Sequence, residues 1–354
     1  YTLSLHDALP ISRVAQRSDL TLSVSTAKQD NTISHPHADK PIVFLEICAG
    51  SAALSASMQR MGWQVFPIDY HANRFKNKMH IFELDLSLHE NISLLEGMIE
   101  QMKPVGAHFG LMCGTCSRAR EVPVAHALRS QGAPQPAPLR DALHPLGLPN
   151  LSTLKQQRVD AANTVYRHAV RLLHALFRVG AFITLENPLR SWLVLATLVK
   201  QYAREHKCPE FAEWYFCFHP VEFDFCMHGG NRAKSTKLLV STRQFEPLGI
   251  MCDKSHNHEP WTIVSGFDKW IFSTAAEAQY PSMFCDRYAE CASTMVAANA
   301  LEYNSKFFRL QSLMAQSIQA KGHDQLIPEF SQIIVTTRSE ERRVGKECRS
   351  RWSP

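Results

Sequence analysis

The chain has 354 residues, 45% hydrophobic and 20% charged, with a formal net charge of +5. This is the composition of an ordinary soluble globular protein, long enough for one large α/β domain with an appended lobe or for two domains. No apolar run reaches membrane-spanning length, the N-terminus lacks a charged-then-apolar signal pattern, and the mildly basic balance permits nucleic-acid binding without demanding it. The ten cysteines are not spaced as a disulfide framework. Several fall in strand-like runs such as Trp214 to Phe218, which fits a reducing, intracellular compartment, nuclear or cytoplasmic.

The opening Tyr1 to Ser12 and the closing Ser339 to Pro354 lack sustained periodicity and look like translated sequencing adapter joined to a real insert. Cys348 and Trp352 are therefore given no functional weight, and the charge without both segments is about +4. Residues 1–40 read as a disordered leader, 41–190 as a catalytic core and 191–315 as its continuation with a small Cys/His-containing lobe. Residues 316–354 read as a tail.

In chain order, Pro41 to Ile47 is a nearly continuous apolar run, as expected of a strand buried on both faces. Ser51 to Met61 has helical composition and Gly62 ends it. Val65 to Asp69 and Ile81 to Asp85 are short strands, each ending in an acid. Leu88 to Met102 carries a helical apolar stripe, and His108 to Met112 is a fourth strand leading into Cys113. Glu121 to Asn150 is a long Pro-rich loop. Leu151 to Val179 is a long helix stopped by Gly180, followed by strand Ala181 to Leu185 and then Glu186-Asn187-Pro188. A helix to Glu205, short Cys- and aromatic-rich segments to about Phe272, and a mostly helical stretch from Ala275 to Met314 complete the chain. Strands alternating with helices predict a parallel α/β sheet covered on both faces, plus a smaller irregular C-terminal lobe.

The chemistry-bearing residues fall at the carboxyl ends of these strands, where open α/β sheets bind ligands. Gly50 lies in a strand-to-helix turn that lets backbone approach a ligand, and Asp69 ends the next strand nineteen residues later. Asp69 could grip ribose hydroxyls and Asp85 could accept from an exocyclic amine; acids that merely end strands are the bland alternative. A cysteine such as Cys113 serves as a nucleophile when it has a lowered pKa and access to a cleft. Cys116 competes with it, and a small buried hydrophobe is the structural alternative. Arg118 and Arg120 are candidates for phosphate contacts or for a solvated basic turn.

Cys252-x3-His256-x-His258, with Cys226-x-His228 upstream, offers two cysteines with two or three histidines, a set that could hold structural zinc. The spacing is not that of a standard finger, so a packed loop without metal is the expectation.

Glu46-Ile47-Cys48-Ala49-Gly50-Ser51-Ala52-Ala53-Leu54-Ser55 resembles, without a gap, the first motif of the cytosine-C5 DNA methyltransferases, Asp-Leu-Phe-Ala-Gly-x-Gly-Gly-x-Ser. Cys113-Gly114-Thr115-Cys116-Ser117 is similar to that family's Pro-Cys-Gln-x-Phe-Ser, Glu186-Asn187-Pro188 to its Glu-Asn-Val, and Asn231-Arg232-Ala233-Lys234 to its Gln-x-Arg-x-Arg. The likeness runs from about Pro41 to Leu239 with motif order kept.

The resemblance implies a Rossmann-like, S-adenosylmethionine-dependent methyltransferase acting on DNA, in a divergent and mobile-element-associated branch. Cofactor contacts would come from Cys48, Ala49, Gly50, Ser51, Asp69, Tyr70, Asp85 and Leu86, with Asp69 and Tyr70 at the ribose and adenine and Asp85 at the adenine amine. It further implies that Cys113 attacks cytosine C6, that Glu186 holds and protonates N3, and that Arg232 assists. Glu121 to Asn150 would be the loop closing over an extruded base.

Two other readings stand beside this one. Leu111-Met112 and Gly114 in place of Pro and Gln, with the Ala52-Ala53 pair, suit a catalytically silent nucleic-acid-binding relative. A methyltransferase of exocyclic amines lacks its expected Asp/Asn-Pro-Pro-aromatic turn.

Overall fold

The computed structural model describes residues 41–71, 75–192, 194–266 and 270–297. The leader, the tail, both adapter-like ends and the C-terminal part of the 275–314 helical expectation lie outside the described residues.

Strands β1 (Val43–Ile47), β2 (Gln64–Asp69), β3 (Phe82–Glu83), β4 (Gly106–Phe109), β5 (Phe182–Pro188), β6 (His219–Asp224) and β7 (Ser235–Val240) form one sheet. Its order is β3-β2-β1-β4-β5-β7-β6. The pairs from β3 to β5 are parallel, whereas β7 runs antiparallel to both β5 and β6. Strand order reverses between β1 and β4, which opens a crevice at the carboxyl ends of these two strands.

The sheet is central because its middle strands are buried on both faces: all five residues of β1 and all four of β4 are buried. One face, with Val43, Leu45, Ile47, Ala107, Phe109, Ile183 and Leu185, is covered by four helices. These are α2 (His89–Met102), α4 (Thr153–Val179), α5 (Val194–Glu205) and α6 (Pro209–Phe216). The 27-residue α4 ends at Gly180 in the left-handed region (φ 75°), whose N–H caps the Leu176 and Phe177 carbonyls.

The other face carries Phe44, Phe182, Phe223, Leu238 and Val240. It is covered by α1 (Ala53–Arg60) and by a helix over 282–297, here α7, which contributes Phe284, Tyr288 and Ala292. Phe44 touches Trp63, Phe182 and Tyr288 at centroid distances of 6.1, 6.2 and 6.1 Å. Gly106 is dictated by this packing: a Cβ there would lie 2.1 Å from the Phe182 ring on the neighbouring strand.

Several sequence expectations are corrected. The third strand is only Phe82–Glu83, and the fourth ends at Phe109 rather than Met112. Trp214 to Phe218 is no strand: α6 occupies Pro209–Phe216, started by proline in its first turn and burying Phe211 and Tyr215 at i, i+4 spacing. The Pro-rich loop contains a single turn of helix, α3 (His126–Arg129). The β6–β7 hairpin arm and the small hairpin of β8 (Ile263–Ser265) and β9 (Trp270–Phe272) have no counterpart in the expected element order. Among the described residues, no helix is long and apolar enough to cross a membrane.

Candidate active site

The β1–α1 turn is made of backbone. Cys48, Gly50 and Ala52 alternate into the left-handed region, at φ 59°, 57° and 55°. For the two non-glycine residues this costs on the order of 1 kcal/mol each. It is held by Ala49 N–H on the Ile68 carbonyl (3.0 Å), Ala52 N–H on the Ala49 carbonyl (2.8 Å) and Gly50 N–H on Asp69 Oδ2 (2.7 Å).

Asp69 Oδ1 accepts from Tyr70 N–H at 2.8 Å. Burial raises the Asp69 pKa, and the Tyr70 and Gly50 N–H groups pull it back. The Cys48 thiol is pushed up by burial and then by the Asp69 and Asp85 carboxylates, so all three lie at one edge of the sheet. Asp85 Oδ1 accepts from Ser87 N–H (2.8 Å), and buried Leu86 gives its carbonyl to His168 (2.7 Å). Tyr70 is 40% exposed at the same edge. Carboxylates at neighbouring strand ends can accept from ribose hydroxyls and an exocyclic amine, and a half-exposed phenol ring beside them can stack on a base, so these residues fit a nucleoside.

Beneath that turn lies a buried polar strip, which sequence reasoning missed. Glu46, His108 and Thr184 are register neighbours on β1, β4 and β5. Glu46 Oε2 accepts from the Ser55 N–H (2.8 Å) and hydroxyl (2.5 Å), while Oε1 is buried with no hydrogen-bond partner among the described residues. Burial lifts its pKa to about 7, against the Ser55 hydrogen bonds. His108 pairs with Thr184 Oγ1 (2.8 Å) and the Tyr280 hydroxyl (2.9 Å), and Thr184 Oγ1 lies 2.6 Å from the Tyr288 hydroxyl. Burial lowers the His108 pKa to about 3, so the imidazole is neutral. One signal was available: a histidine inside the apolar run Gly106 to Met112.

The second wall of the crevice is built by side chains. Cys113 follows β4 in a turn where its carbonyl accepts from the Cys116 (3.0 Å) and Ser117 (2.8 Å) N–H groups. The turn is clamped from α4, where the Tyr166 hydroxyl donates to the Met112 carbonyl and lies 3.4 Å from Cys116 Sγ. Cys116 is buried, whereas Cys113 is half-buried. The Cys113 thiol is pushed up to about 12 by burial, then by Cys116 and Glu186, and Lys234 opposes the shift.

Glu186 ends the buried part of β5, with Lys234 Nζ 3.4 Å from its Oε1. Lys234 also donates to the Glu277 carbonyl (3.1 Å) and sits 4.7 Å above the Phe225 ring. The structure thus brings Cys113, Glu186 and Lys234 into one electrostatic neighbourhood. From the sequence, Lys234 reads as the end of the Asn231-Arg232-Ala233-Lys234 motif or as part of a surface basic turn with Arg232 and Lys237; the structure instead turns it onto Glu186.

Arg232 is held aside. Its guanidinium pairs with Glu277 (2.6 Å) and Glu259 (2.5 Å) and donates to the Pro260 carbonyl (3.2 Å). Arg118 is engaged by Glu121 (2.9 Å) over the Trp192 ring, and Arg120 by the Ala137 carbonyl (2.8 Å).

The Pro-rich loop is stapled rather than loose. Fully buried Arg140 donates to Thr115 Oγ1 (3.0 Å), the Pro145 carbonyl (2.7 Å) and Asn163 Oδ1 (2.8 Å). Those neutral acceptors tie the loop to the Cys113 turn and to α4.

A separate group gathers beyond β6. One ligand atom from each of Cys226, Cys252, His256 and His258 lies within 4.8 Å of all the others. His228, also considered at the sequence level, is buried elsewhere, on the Leu248 carbonyl (2.9 Å) and beside Arg287 (3.2 Å).

No family model matches the chain, and no curated protein matches it. Among solved structures, the Entamoeba histolytica methyltransferase EhMeth is similar at a TM-score of 0.32 and 12% identity, over 57% of this chain and 53% of that one. The match spans about half the length of that methyltransferase, and a likeness this low adds nothing to the topology described above.

Proposed function

We propose that this chain is an S-adenosylmethionine-dependent methyltransferase that modifies cytosine C5 in DNA through a Cys113 adduct. The observation that carries the reading is the convergence of Cys113, Glu186 and Lys234 on one side of the switch-point crevice, with the Gly50 turn, Asp69 and Asp85 on the other. The sheet order with an antiparallel β7 supports a Rossmann-like methyltransferase fold.

Asp69 and Tyr70 would hold the cofactor's ribose and adenine, Asp85 its amine, and Cys48, Ala49, Gly50, Ser51 and Leu86 would line the rest. When bound, S-adenosylmethionine supplies an electrophilic methyl group. C5 of cytosine is a poor nucleophile inside the aromatic ring. Addition of the Cys113 thiolate to C6 makes C5 enamine-like and able to take that methyl, with S-adenosylhomocysteine as the leaving group. Loss of the C5 proton to a base or water and expulsion of the Cys113 thiolate from C6 would then restore the aromatic ring. Glu186 would hold N3 by hydrogen bond and pass it a proton as negative charge builds there. Lys234 favours the thiolate form of Cys113 and fixes the Glu186 carboxyl. Arg232 would act by bracing Glu277, whose carbonyl holds Lys234.

The test is covalent trapping. The full chain is incubated with 5-fluorocytosine DNA and S-adenosylmethionine, and a stable protein–DNA adduct is expected that is lost in Cys113→Ser and kept in Cys116→Ser. A folded chain that binds both ligands yet forms no adduct overturns the reading.

A second reading, a catalytically silent nucleic-acid-binding module, is favoured by one observation: the Cys113 thiol pushed up to about 12. DNA binding without trapping would select it.

A further inference from the structure

We infer that Cys226, Cys252, His256 and His258 form a structural zinc site that fixes the segment 250–262 against the sheet. Two thiols and two imidazoles are a complete donor set for tetrahedral Zn²⁺. Bond lengths of about 2.3 Å to sulfur and 2.0 Å to nitrogen place neighbouring ligand atoms ~3.3–3.8 Å apart around such an ion. Cys252 Sγ lies 3.4 Å from His258 Nε2 and 4.0 Å from His256 Nε2, and all four ligand atoms stay within 4.8 Å of one another. Only small side-chain adjustments separate this arrangement from a closed coordination shell.

The surroundings are those of a metal knuckle. Lys254 N–H donates to Cys252 Sγ at 3.3 Å, and Lys254 itself lies in the left-handed region at φ 64°. Asp224 accepts from Cys252 N–H (2.8 Å) with one oxygen and from the Ser235 hydroxyl (2.6 Å) with the other, tying the cysteine to β6 and β7. Cys226 sits in the single 3₁₀ turn Phe225–His228 that leaves β6.

A second observation points the same way. From Met251 to Trp261 the chain has no helix or strand, and most of its side chains are exposed. A segment that buries so little apolar surface cannot offset the entropy of being ordered. Yet it must be ordered, because Glu259 and Pro260 grip Arg232 at the edge of the Glu186–Lys234 pair. Four ligands spread over 226–258 supply the missing restraint. As each Zn–S bond forms, the thiol releases its proton to water. The inference rests on these ligands and the segment they hold, and is independent of the reaction assigned to Cys113.

The test measures metal in the full chain purified from zinc-supplemented medium under reducing conditions. About one zinc per chain is expected, released by a thiol-modifying reagent into a chromogenic chelator. Cobalt substitution of the unaltered chain is expected to give the strong visible absorption of a tetrahedral site with a thiolate charge-transfer band. Cys252→Ala and His258→Ala are expected to lose the metal, and Cys291→Ser, on α7, to keep it. Tryptic cleavage after Lys254 is expected to be at least about tenfold faster after chelation, since closing the site protects the segment.

Three results would overturn the inference. One is a folded, unaltered chain that takes up no zinc at equimolar metal. Another is a weak, octahedral-type cobalt spectrum, and the third is full zinc retention in a Cys252→Ala/His258→Ala double variant.

Discussion

The two faces of the sheet are covered in different ways. Under α2, α4, α5 and α6 the interface is built almost wholly from aliphatic and aromatic groups, such as Leu45, Phe109, Leu173 and Leu185. Under α1 and α7 an apolar cluster shares the face with Glu46, His108, Thr184 and the two tyrosines, all aligned beneath the crevice. Apolar packing is indifferent to pH, whereas a buried acid and a buried imidazole each resist charging. The first face therefore supplies stability, and the second links stability to pH and positions the groups above it.

The comparison breaks most readily through the apolar face. Leu173, with no exposed surface, packs in that cluster. Leu173→Ala is expected to cost about 2–5 kcal/mol, equal at every pH, in denaturant unfolding between pH 5 and 8.

The strip gives a contrasting result of similar size. The Glu46 pKa is raised by burial to about 7, from 4.5. Its contribution to stability is thus fully present below pH 4.5 and is lost as pH rises through 7. His108 is lowered to about 3 from 6.5, so its contribution is present above 6.5 and is lost as pH falls through 3. The two slopes oppose each other between pH 4.5 and 6.5, which predicts a plateau there and a decline on either side. Glu46→Gln removes one slope. Relative to the unaltered chain it should gain about 3 kcal/mol between pH 4.5 and 7, read from Tm or unfolding midpoints. A constant difference across that range would refute the assignment.

Tyr280→Phe tests the strip's hydrogen bonds. It leaves His108 Nε2 without its 2.9 Å partner and is expected to cost about 1–3 kcal/mol in unfolding experiments.

The smallest effect concerns the crevice itself. With the Cys113 thiol pushed up to about 12, its alkylation should rise about tenfold per pH unit from 7 to 9 without levelling, followed by peptide mass spectrometry. Lys234→Met should slow that alkylation about threefold to tenfold, because the nearby ammonium favours the thiolate. An unchanged rate would remove Lys234 from the Cys113 neighbourhood.

Much of the fold was legible because its signals are local. Pro41 to Ile47 reads as a buried strand without knowledge of its neighbours, and the repeat in α4 and the stop at Gly180 are properties of one segment. Residues at strand ends were found for the same reason: Gly50, Asp69, Cys113 and Glu186 all mark places where an apolar run stops. Trp214 to Phe218 was misread because a short aromatic run fits strand and helix equally until Pro209 and the partner surface decide.

The amino-acid sequence by itself determined the alternation of strands and helices, the parallel core of the sheet and the turn positions that carry polar groups, since apolar periodicity and glycine or proline chemistry act over a few residues. Tertiary structure alone decided that β7 runs antiparallel, that Lys234 rather than Arg232 meets Glu186, that His108 joins Glu46 and Thr184 beneath the crevice, and that Cys226 meets a group near residue 256 while His228 does not. These outcomes depend on charges, donors and thiols far apart in the chain, whose energies exist only once sheet closure brings them within a few ångströms.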